Sequence, residues 1–377
     1  MQAEQPVRRF TYPSGTLGWL VTGYDEARAI LADIRFSSRR GAGSNPVRQI
    51  PPEAEDLMAP QPGMFIGTDP PEHTRYRRLL TGQFTVRRMK ALVPHIERIV
   101  AEHLDAMARA ERPADLVRAF ALPVPSMVIC ELLGVPYADR DRFQRHTAKL
   151  LTLDTDWETV RASVEEIRAY MLDLVRLKRR APADDLLSGL AHGPGELSDE
   201  ELVNMGNLLL IAGHETTANM LALGTLTLLR HPDQLALLRG DPGLLDRAIE
   251  ELLRYLSIIQ FGIPRVATAD VEVGGRWIRA GEPVLAAVMV ADRDPARFPD
   301  PDRLDVTREY SPHLAFGHGV HQCLGQQLAR VEMKAGFGAL VERFPTLRLA
   351  VPPEEVRMRD DMAIYGVHEL PVTWDDA

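Results

Sequence analysis

Residues 311–330, SPHLAFGHGVHQCLGQQLAR, place a cysteine between a glycine-rich loop and the start of a predicted helix. The chain has only two cysteines, Cys130 and Cys323. A buried structural thiol is the ordinary role of a lone cysteine. A nucleophile needs a paired histidine and usually an orienting Asn or Asp. A zinc site could recruit His318 and His321, but the spacing H-x-x-H-x-C matches no familiar structural zinc pattern.

A thiolate ligand to haem iron is the fourth alternative for Cys323. Gly317, Gly319 and Gly325 carry no side chain, so a flat macrocycle could approach the backbone there. The helix that follows offers free N–H groups and its positive end, and both favour a thiolate. Cys130 lies in an apolar predicted helix, which indicates a core position.

A second unusual segment lies inside a long apolar stretch at residues 198–230, which starts with SDEE and contains no proline. The pattern predicts a buried central helix about 45 Å long. AGHETT in its middle brings together Gly213 and two threonines, which are poor helix formers. This polar turn indicates a functional site, because packing alone would favour leucine. A zinc-protease H-E-x-x-H motif is excluded because residue 218 is alanine.

The other elements are predicted from hydrophobic period and turn residues. Strands are expected at FTYP and 17–22, and a helix at 24–33. Further helices are expected at 71–83, 86–110, 123–133, 137–150, 157–179, 232–239, 242–256 and 323–343. Further strands are expected at 265–273, 276–279, 284–290 and near 346–351 and 370–374. Residues 41–67 read as a long loop of the kind that forms lids or binding surfaces. We expect one domain over 1–377, mainly α with a smaller β portion.

Composition narrows the class of protein. The 377 residues carry a formal net charge of −9, which argues against non-specific nucleic-acid binding. Two cysteines cannot form a disulfide framework, and the chain has neither a signal-peptide pattern nor a long apolar run. We therefore expect a cytoplasmic protein that does not bind membranes. One cationic stretch, from His73 to His95, has six Lys or Arg residues and no acid. It is either a solvated face or a docking surface for an anionic group or acidic partner.

Three motifs together resemble the cytochrome P-450 superfamily. Phe316 to Gly325 matches F-G-x-G-x-H-x-C-x-G at every fixed position, Glu251 to Arg254 resembles E-x-x-R, and Ala212 to Thr216 resembles A-G-x-[DE]-T. The likeness covers essentially the whole chain. It is similar to a soluble bacterial subgroup that hydroxylates polyketides, statin precursors, vitamin D-like secosteroids and foreign compounds. The implied fold is a single triangular-prism-like domain with a long central helix on the distal side of the haem.

The resemblance implies haem b as cofactor, with Cys323 as the axial thiolate and Phe316 shielding it. His73, Arg77, Arg265 and His321 would bind the haem propionates. The full implied cofactor set is His73, Arg77, Ala212, Gly213, Arg265, Phe316, Gly317, His321 and Gly325. Glu251 and Arg254 would pair with Arg303 in a purely structural role.

The resemblance also implies oxygen activation with two electrons from NAD(P)H, delivered by ferredoxin and ferredoxin reductase. Thr216 and Glu215 would supply protons, and Ala212 and Gly213 would leave room for dioxygen. Ferredoxins are acidic, so the cationic stretch becomes a candidate docking face. The residues of this predicted docking face are Arg75, Arg78, Arg87, Arg88 and Lys90.

An apolar substrate is expected, because the predicted pocket is apolar. Its lining would come from the 41–67 loop and from Leu209, Ala212, Ile258, Ile259, Phe261, Met362, Ile364 and Tyr365. The product would be hydroxylated or epoxidised, and the protein would be a monomer. Two alternatives stay open: a non-catalytic haem-thiolate sensor or carrier, and an atypical oxidase, such as a phenol-coupling enzyme, on the same scaffold. A sensor has no need of the Glu215–Thr216 pair.

Overall fold

The computed structural model describes residues 5–39 and 45–376, without the side chain of Met58. Within them the α-helices are α1 (Tyr24–Ala32), α2 (Glu55–Met58), α3 (Glu72–Thr81), α4 (Val86–Ala108), α5 (Pro123–Leu133), α6 (Arg140–Leu151), α7 (Trp157–Arg180), α8 (Leu186–Ala191), α9 (Asp199–Arg230), α10 (Pro232–Gly240), α11 (Leu245–Leu256), α12 (Val288–Ala291) and α13 (Gln326–Arg343). Short 3-10 turns cover Pro52–Ala54, Phe65–Gly67, Tyr137–Asp139, Pro242–Leu244, Gly319–His321 and Pro353–Glu355, and a π-turn covers Val117–Ala121.

The strands are β1 (Val7–Thr11), β2 (Leu17–Val21), β3 (Phe36–Ser37), β4 (Ala114–Asp115), β5 (Ile263–Ala267), β6 (Val271–Val273), β7 (Arg276–Ile278), β8 (Pro283–Ala286), β9 (Arg348–Leu349) and β10 (Pro371–Thr373). They form a five-stranded sheet in the order β1-β2-β8-β5-β3, a three-stranded sheet β4-β10-β9 and the pair β6-β7. Only the β2–β8 pairing is parallel among the described strands. The predicted mainly helical fold with a smaller β portion is confirmed.

The central helix predicted over 198–230 is α9. The Ser198 hydroxyl accepts a hydrogen bond from the Glu201 N–H, and the Glu201 carboxylate accepts one from the Ser198 N–H. This capping box satisfies two N–H groups that the first turn leaves free. Helix α9 is then buried along most of its length and packs against α5, α7 and α13. It therefore forms the axis of the larger hydrophobic core.

A second, smaller core lies between the five-stranded sheet and α1. Ile30 of α1 and Val21 of β2 are fully buried there, together with Phe298 from the loop after α12. Since the Gly319–His321 turn packs directly on α1, this smaller core also supports the segment that carries Cys323.

Two strand predictions were wrong in their limits. The run 265–273 is two strands, because Asp270 accepts hydrogen bonds from the Arg279 side chain at 2.7 Å and the Ala280 N–H at 3.0 Å and turns the chain towards β7. The run predicted at 284–290 leaves the sheet after Ala286 and continues as α12. A β-branched composition does not show where a chain leaves a sheet, since tertiary contacts decide that point.

Of the predicted 41–67 loop, residues 41–44 lie outside the described residues. The rest contains short helical turns and is fixed to the helices beyond it. Arg161 of α7 donates to both carboxylate oxygens of Asp56, at 2.6 and 2.8 Å. Arg48 donates to the Thr155 carbonyl at 2.6 Å. None of the described helices combines the length and apolar character needed to cross a membrane.

Candidate active site

The Cys323 loop is a tight turn held by backbone hydrogen bonds. The Cys323 N–H donates to the Phe316 carbonyl at 2.8 Å, and Gly317 and Gly319 both have positive φ. A Cβ at Gly319 would lie 2.3 Å from the Leu31 carbonyl oxygen, so this glycine is required by packing on α1. The expectation that Gly319 makes room for a cofactor was therefore wrong. A Cβ at Gly325 would meet no described atom within 4 Å, so Gly325 borders open space.

Helix α13 begins at Gln326 rather than at Cys323, so the cysteine precedes the helix. Burial raises the pKa of the Cys323 thiol, against the opposing effect of the Gly325 and Gln326 N–H groups and the Arg77 and Arg330 guanidinium groups. The raised pKa keeps the free thiol protonated. A bound metal cation deprotonates a coordinating thiol outright, so the N–H groups fit a thiolate that a metal holds in place.

Phe316 lies at the edge of the same loop. The Arg330 guanidinium carbon is 4.6 Å from the centroid of its ring, and the His313 ring centroid lies at 6.1 Å. Arg330 is fixed in turn by Glu250, with Nε–Oε1 and Nη2–Oε2 distances of 2.6 and 3.0 Å. The ring is therefore held in one orientation beside the cysteine loop.

Four basic side chains predicted to bind propionates come together. The His73 and His321 ring centroids are 4.1 Å apart, and Arg77 donates to the Gln322 carbonyl at 2.5 Å. Burial together with the neighbouring His73 and Arg265 lowers the pKa of His321 to about 3. Burial lowers the pKa of Arg265 to about 10.

This cluster has unused hydrogen-bonding capacity. His73 is 2% exposed, and neither ring nitrogen has a partner. Arg265 is 7% exposed, and its guanidinium donates to the neighbouring Pro264 carbonyl at 2.8 Å. Within the described residues, no carboxylate hydrogen-bonds to any of the four. Buried cations normally have an anionic partner, so the donor set fits the two carboxylates of haem.

The polar turn of α9 faces an opening. Ala212 is exposed and Thr216 half-exposed, although His214, Glu215 and Thr217 around them are buried. The Thr216 hydroxyl donates to the Ala212 carbonyl at 2.9 Å. An exposed face inside an otherwise buried helix indicates an internal cavity at this turn, as expected for a distal pocket.

Gly213 also has a packing role that the sequence did not show. A Cβ at this position would lie 2.7 Å from Ile129 Cδ1 and Cγ1 of α5. The glycine therefore permits the close approach of α5 to α9, and its role beside dioxygen stays a prediction. Ala212 remains on the open face.

Glu215 is buried and bound by two residues that sequence reasoning missed. Its Oε2 accepts from Arg359 Nη1 at 3.1 Å and lies 3.5 Å from the Asn219 side-chain nitrogen. Asn219 could have been suspected, because it follows Glu215 by one helical turn. Arg359 carries no local signal, since it lies 144 positions further along the chain.

Comparison with known proteins decides the family. A model described as Cytochrome P450 matches residues 242–371. Cytochrome P450 105C1 of a Streptomyces species is 50% identical over 374 residues, covering 99% of this chain and 93% of that protein. The chain belongs to the cytochrome P450 family. Vitamin D3 dihydroxylase of Streptomyces griseolus is 47% identical over 98% of this chain and 91% of that protein. The crystal structure of CYP105P1 in complex with filipin I aligns with a TM-score of 0.94 at 49% identity, covering 100% of this chain and 94% of that chain.

This cytochrome P450 is a monooxygenase of the haem-iron family, similar to the bacterial subgroup that the motifs indicated.

The structural trio of the P450 needs one correction. Glu251 and Arg254 form a buried pair, with an Arg254 Nε to Glu251 Oε2 distance of 2.7 Å. The third side chain is Arg308, whose Nε lies 3.0 Å from Glu251 Oε2. Arg303 contributes only its carbonyl oxygen, 3.5 Å from Arg254 Nη2, and its side chain is exposed. The prediction that Arg303 completes the trio with its side chain was therefore wrong.

The predicted substrate contacts of the P450 come from two segments that meet. The Tyr365 N–H donates to the Ile258 carbonyl at 2.9 Å, and Ile259 bridges Ile364. Met362 bridges Thr152, at the loop between α6 and α7. Leu209, Ile258 and Met362 are buried, and Ile259, Phe261, Ile364 and Tyr365 are half-buried. The structure thus brings 258–261 and 362–365 together.

One residue of the predicted docking face, Arg75, is not a free cation. Arg75 pairs with Glu201 at the start of α9 and also donates to the Gly195 carbonyl at 3.3 Å. Arg78, Arg87, Arg88 and Lys90 are exposed, and none has an ion pair within the described residues. On the outer side of the cysteine loop, a cavity of about 190 Å³ is lined by Arg28, His318, Gln322 and others. Gln322, through its carbonyl, also connects this loop to Arg77 of α3.

Proposed function

We propose that this P450 hydroxylates or epoxidises an apolar natural product, with electrons from NAD(P)H that arrive through ferredoxin reductase and ferredoxin. One atom of dioxygen enters the substrate, and the other leaves as water after uptake of two electrons and two protons. The observation that carries the proposal is the cluster of His73, Arg77, Arg265 and His321 beside the cysteine loop. It offers donors for two carboxylates, and within the described residues none of these donors hydrogen-bonds to a carboxylate, since Asp69 acts on the cluster only through its charge.

In this proposal the Cys323 thiolate would hold the iron of haem b. Haem held by a thiolate would supply oxygen activation, since the sulfur donates electron density that favours O–O cleavage. Phe316 shields the sulfur, and Gly317 and Gly325 border the macrocycle. Ala212 and Thr216 face the distal pocket. The Thr216 hydroxyl passes protons, and Glu215 carries them from the interior of the protein to Thr216.

The substrate class is proposed from the pocket walls and from the relatives. Ile259, Phe261, Ile364 and Tyr365 offer largely apolar surface. Two of the similar proteins are named with vitamin D3 and with filipin I. We propose a largely apolar natural product as the ligand of a single-domain, monomeric cytoplasmic enzyme. Type-I spectral titrations against a compound library would identify it.

The test of the proposed function is the Soret band of reduced protein with carbon monoxide. We expect the red-shifted position of a thiolate adduct, and its loss in Cys323→Ala. Cys130→Ala is the matched control, because burial raises the pKa of that thiol to about 12 and keeps it inert. A thiolate spectrum that survives Cys323→Ala and disappears in Cys130→Ala would refute the assignment.

A further inference from the structure

The ion pair of Glu215 and Arg359 joins α9 to the segment between the Pro353–Glu355 turn and β10, which we call the terminal loop. The two side chains are 5% and 12% exposed, and the Nη1–Oε2 distance is 3.1 Å. Arg359 Nη1 also donates to the Asn219 side-chain oxygen at 3.1 Å. Asn219 in turn donates to the Glu215 carbonyl at 2.8 Å. Arg359 therefore fixes one carboxylate oxygen and the residue one turn further along α9.

The other carboxylate oxygen has a different neighbour. His214 is fully buried, and its Nδ1–H donates to the Leu210 carbonyl at 2.7 Å. Burial lowers the pKa of His214, so its Nε2 is an acceptor, and it has no partner. That nitrogen lies 3.9 Å from Glu215 Oε1. This separation is longer than a hydrogen bond, so the second carboxylate oxygen has no direct bond to His214.

Arg359 is itself held by the loop that carries predicted substrate contacts. Its N–H donates to the Gly366 carbonyl at 2.9 Å, and its Nε lies 2.8 Å from Met362 Sδ. A Cβ at Gly366 would lie 1.8 Å from the Asn219 side-chain oxygen, so the loop packs directly on α9. A ligand that displaces Met362 therefore moves the partner of the Arg359 guanidinium.

The carboxyl group does not touch the distal hydroxyl in this arrangement. Thr216 donates to the Ala212 carbonyl, and no hydrogen bond joins its side chain to the Glu215 carboxylate among the described residues. The carboxyl group must leave Arg359, or be bridged, before it can act towards Thr216. Whether the Glu215 carboxyl group can move towards Thr216 therefore depends on its ion pair with Arg359.

We propose that Arg359 is a positioning residue that holds the Glu215 carboxylate on the terminal loop, and that substrate seated against Met362 loosens this contact so that the carboxyl group can pass protons towards Thr216. The inference rests on the proposed function. It adds a coupling between substrate contact and proton supply, through a residue that touches neither dioxygen nor haem.

The test compares Arg359→Gln, Arg359→Lys and the double variant Arg359→Gln/Glu215→Gln, with Arg343→Gln as control. Arg343 forms an exposed ion pair with Asp105 at the end of α13. A buried carboxylate without its cation takes up a proton. Infrared spectra of the resting holoenzyme should therefore show a protonated carboxyl band in Arg359→Gln that is missing from the double variant, from Arg359→Lys and from the control.

A second readout is the rate at which NAD(P)H is oxidised to hydrogen peroxide without substrate. This rate should rise on the order of tenfold in Arg359→Gln, because the carboxyl group is free before substrate binds, and should stay near the wild-type rate in Arg359→Lys and Arg343→Gln. Adding substrate to the wild type should make the same infrared band appear, and adding it to Arg343→Gln should reproduce the wild type. A wild-type rate of peroxide formation and no carboxyl band in Arg359→Gln would show that the pair is only structural.

If Arg359→Gln is unstable, the stability of the double variant decides between two causes. If the double variant folds like the wild type, the unpaired Glu215 charge caused the loss, as the proposal requires. If the double variant is equally unstable, Arg359 acts through packing and the proposal is wrong. Failure of the proposed function would be visible separately, as a missing thiolate spectrum in the wild type, since the infrared comparison does not depend on turnover.

Discussion

Two buried carboxylate–arginine pairs stabilise different parts of this P450, and they differ in how completely they are bonded. Glu251 accepts from Arg254 twice, from Arg308 and from the Asp305 N–H, at 2.7 to 3.0 Å. Arg254 also donates to the Asp292 and Pro301 carbonyls at 2.9 Å. With the Arg303 carbonyl, all five of its N–H groups have acceptors.

The second pair is incomplete. Glu215 has Arg359 and Asn219 on one oxygen, and its other oxygen faces the unpartnered His214 Nε2. A fully bonded buried carboxylate loses several hydrogen bonds if it moves or takes up a proton, so it suits a scaffold. A partly bonded one has a second state at low cost, so it suits proton transfer. Both motifs place a glutamate on a buried helix, and only their surroundings separate the roles.

The largest expected effect tests the completeness of the Glu251 pair. Arg308→Ala should reduce the free energy of unfolding by about 3 kcal/mol, because the buried Glu251 carboxylate loses one of its two cations while Arg254 stays bound. Arg303→Ala should change it by less than about 0.5 kcal/mol, because only the backbone of Arg303 is used. Denaturant unfolding of the holoenzymes measures both. Equal losses would restore the original assignment of Arg303.

The next prediction concerns the neighbouring Glu250, bound by His313 and Arg330. Burial raises its pKa, but the hydrogen bonds from His313 and Arg330 outweigh that effect and lower the pKa to about 2. The stabilisation is therefore fully present above about pH 4.5 and is lost as pH falls towards 2, on the order of 3 kcal/mol in total. Glu250→Gln should be less stable than the wild type at pH 7, and the difference should narrow on acidification. A constant difference between pH 7 and 3 would contradict this.

Substitutions at Thr216 and Glu215 should change the reaction more than they change the free energy of unfolding. Thr216→Ala should still fold and bind substrate, while product per NAD(P)H falls towards the lower end of the 10²–10⁴-fold typical of a positioned proton donor. Glu215→Gln should instead slow the whole cycle, because it limits proton supply. The ratio of product and peroxide to NAD(P)H measures both. An unchanged ratio in Thr216→Ala would assign the polar turn to something other than oxygen activation.

The smallest expected effect concerns exposed cations that form no ion pair among the described residues. Neutralising Arg87, Arg88 and Lys90 together should slow reduction by ferredoxin on the order of tenfold at low salt, and less as salt screens exposed charges. Carbon monoxide binding to chemically reduced protein should not change. Arg176→Gln/Arg180→Gln on α7 is the control. Wild-type reduction rates at every ionic strength would remove the docking face from the proposal.

The sequence by itself determined the features that depend on local spacing. The capping residues and apolar run of α9 predicted its limits to within one residue, because helix ends and helix burial are encoded within a few turns. The cysteine loop and the E-x-x-R pair were identified from their combined resemblance to the motifs of the family. The elements that position Cys323, Thr216 and Glu251 followed from these patterns.

Only the tertiary structure decided which distant residues complete each site. Arg308 rather than Arg303 reaches Glu251, and Arg359 reaches Glu215 across 144 positions, because the path of irregular loops brings them there. The roles of Gly213 and Gly319 were also decided at this level, since Ile129 and Leu31 approach them from other helices. Sequence spacing fixes contacts within one helix or turn, whereas contacts between loops depend on the packing of the whole chain. For this reason the catalytic motifs were readable and their electrostatic partners were not.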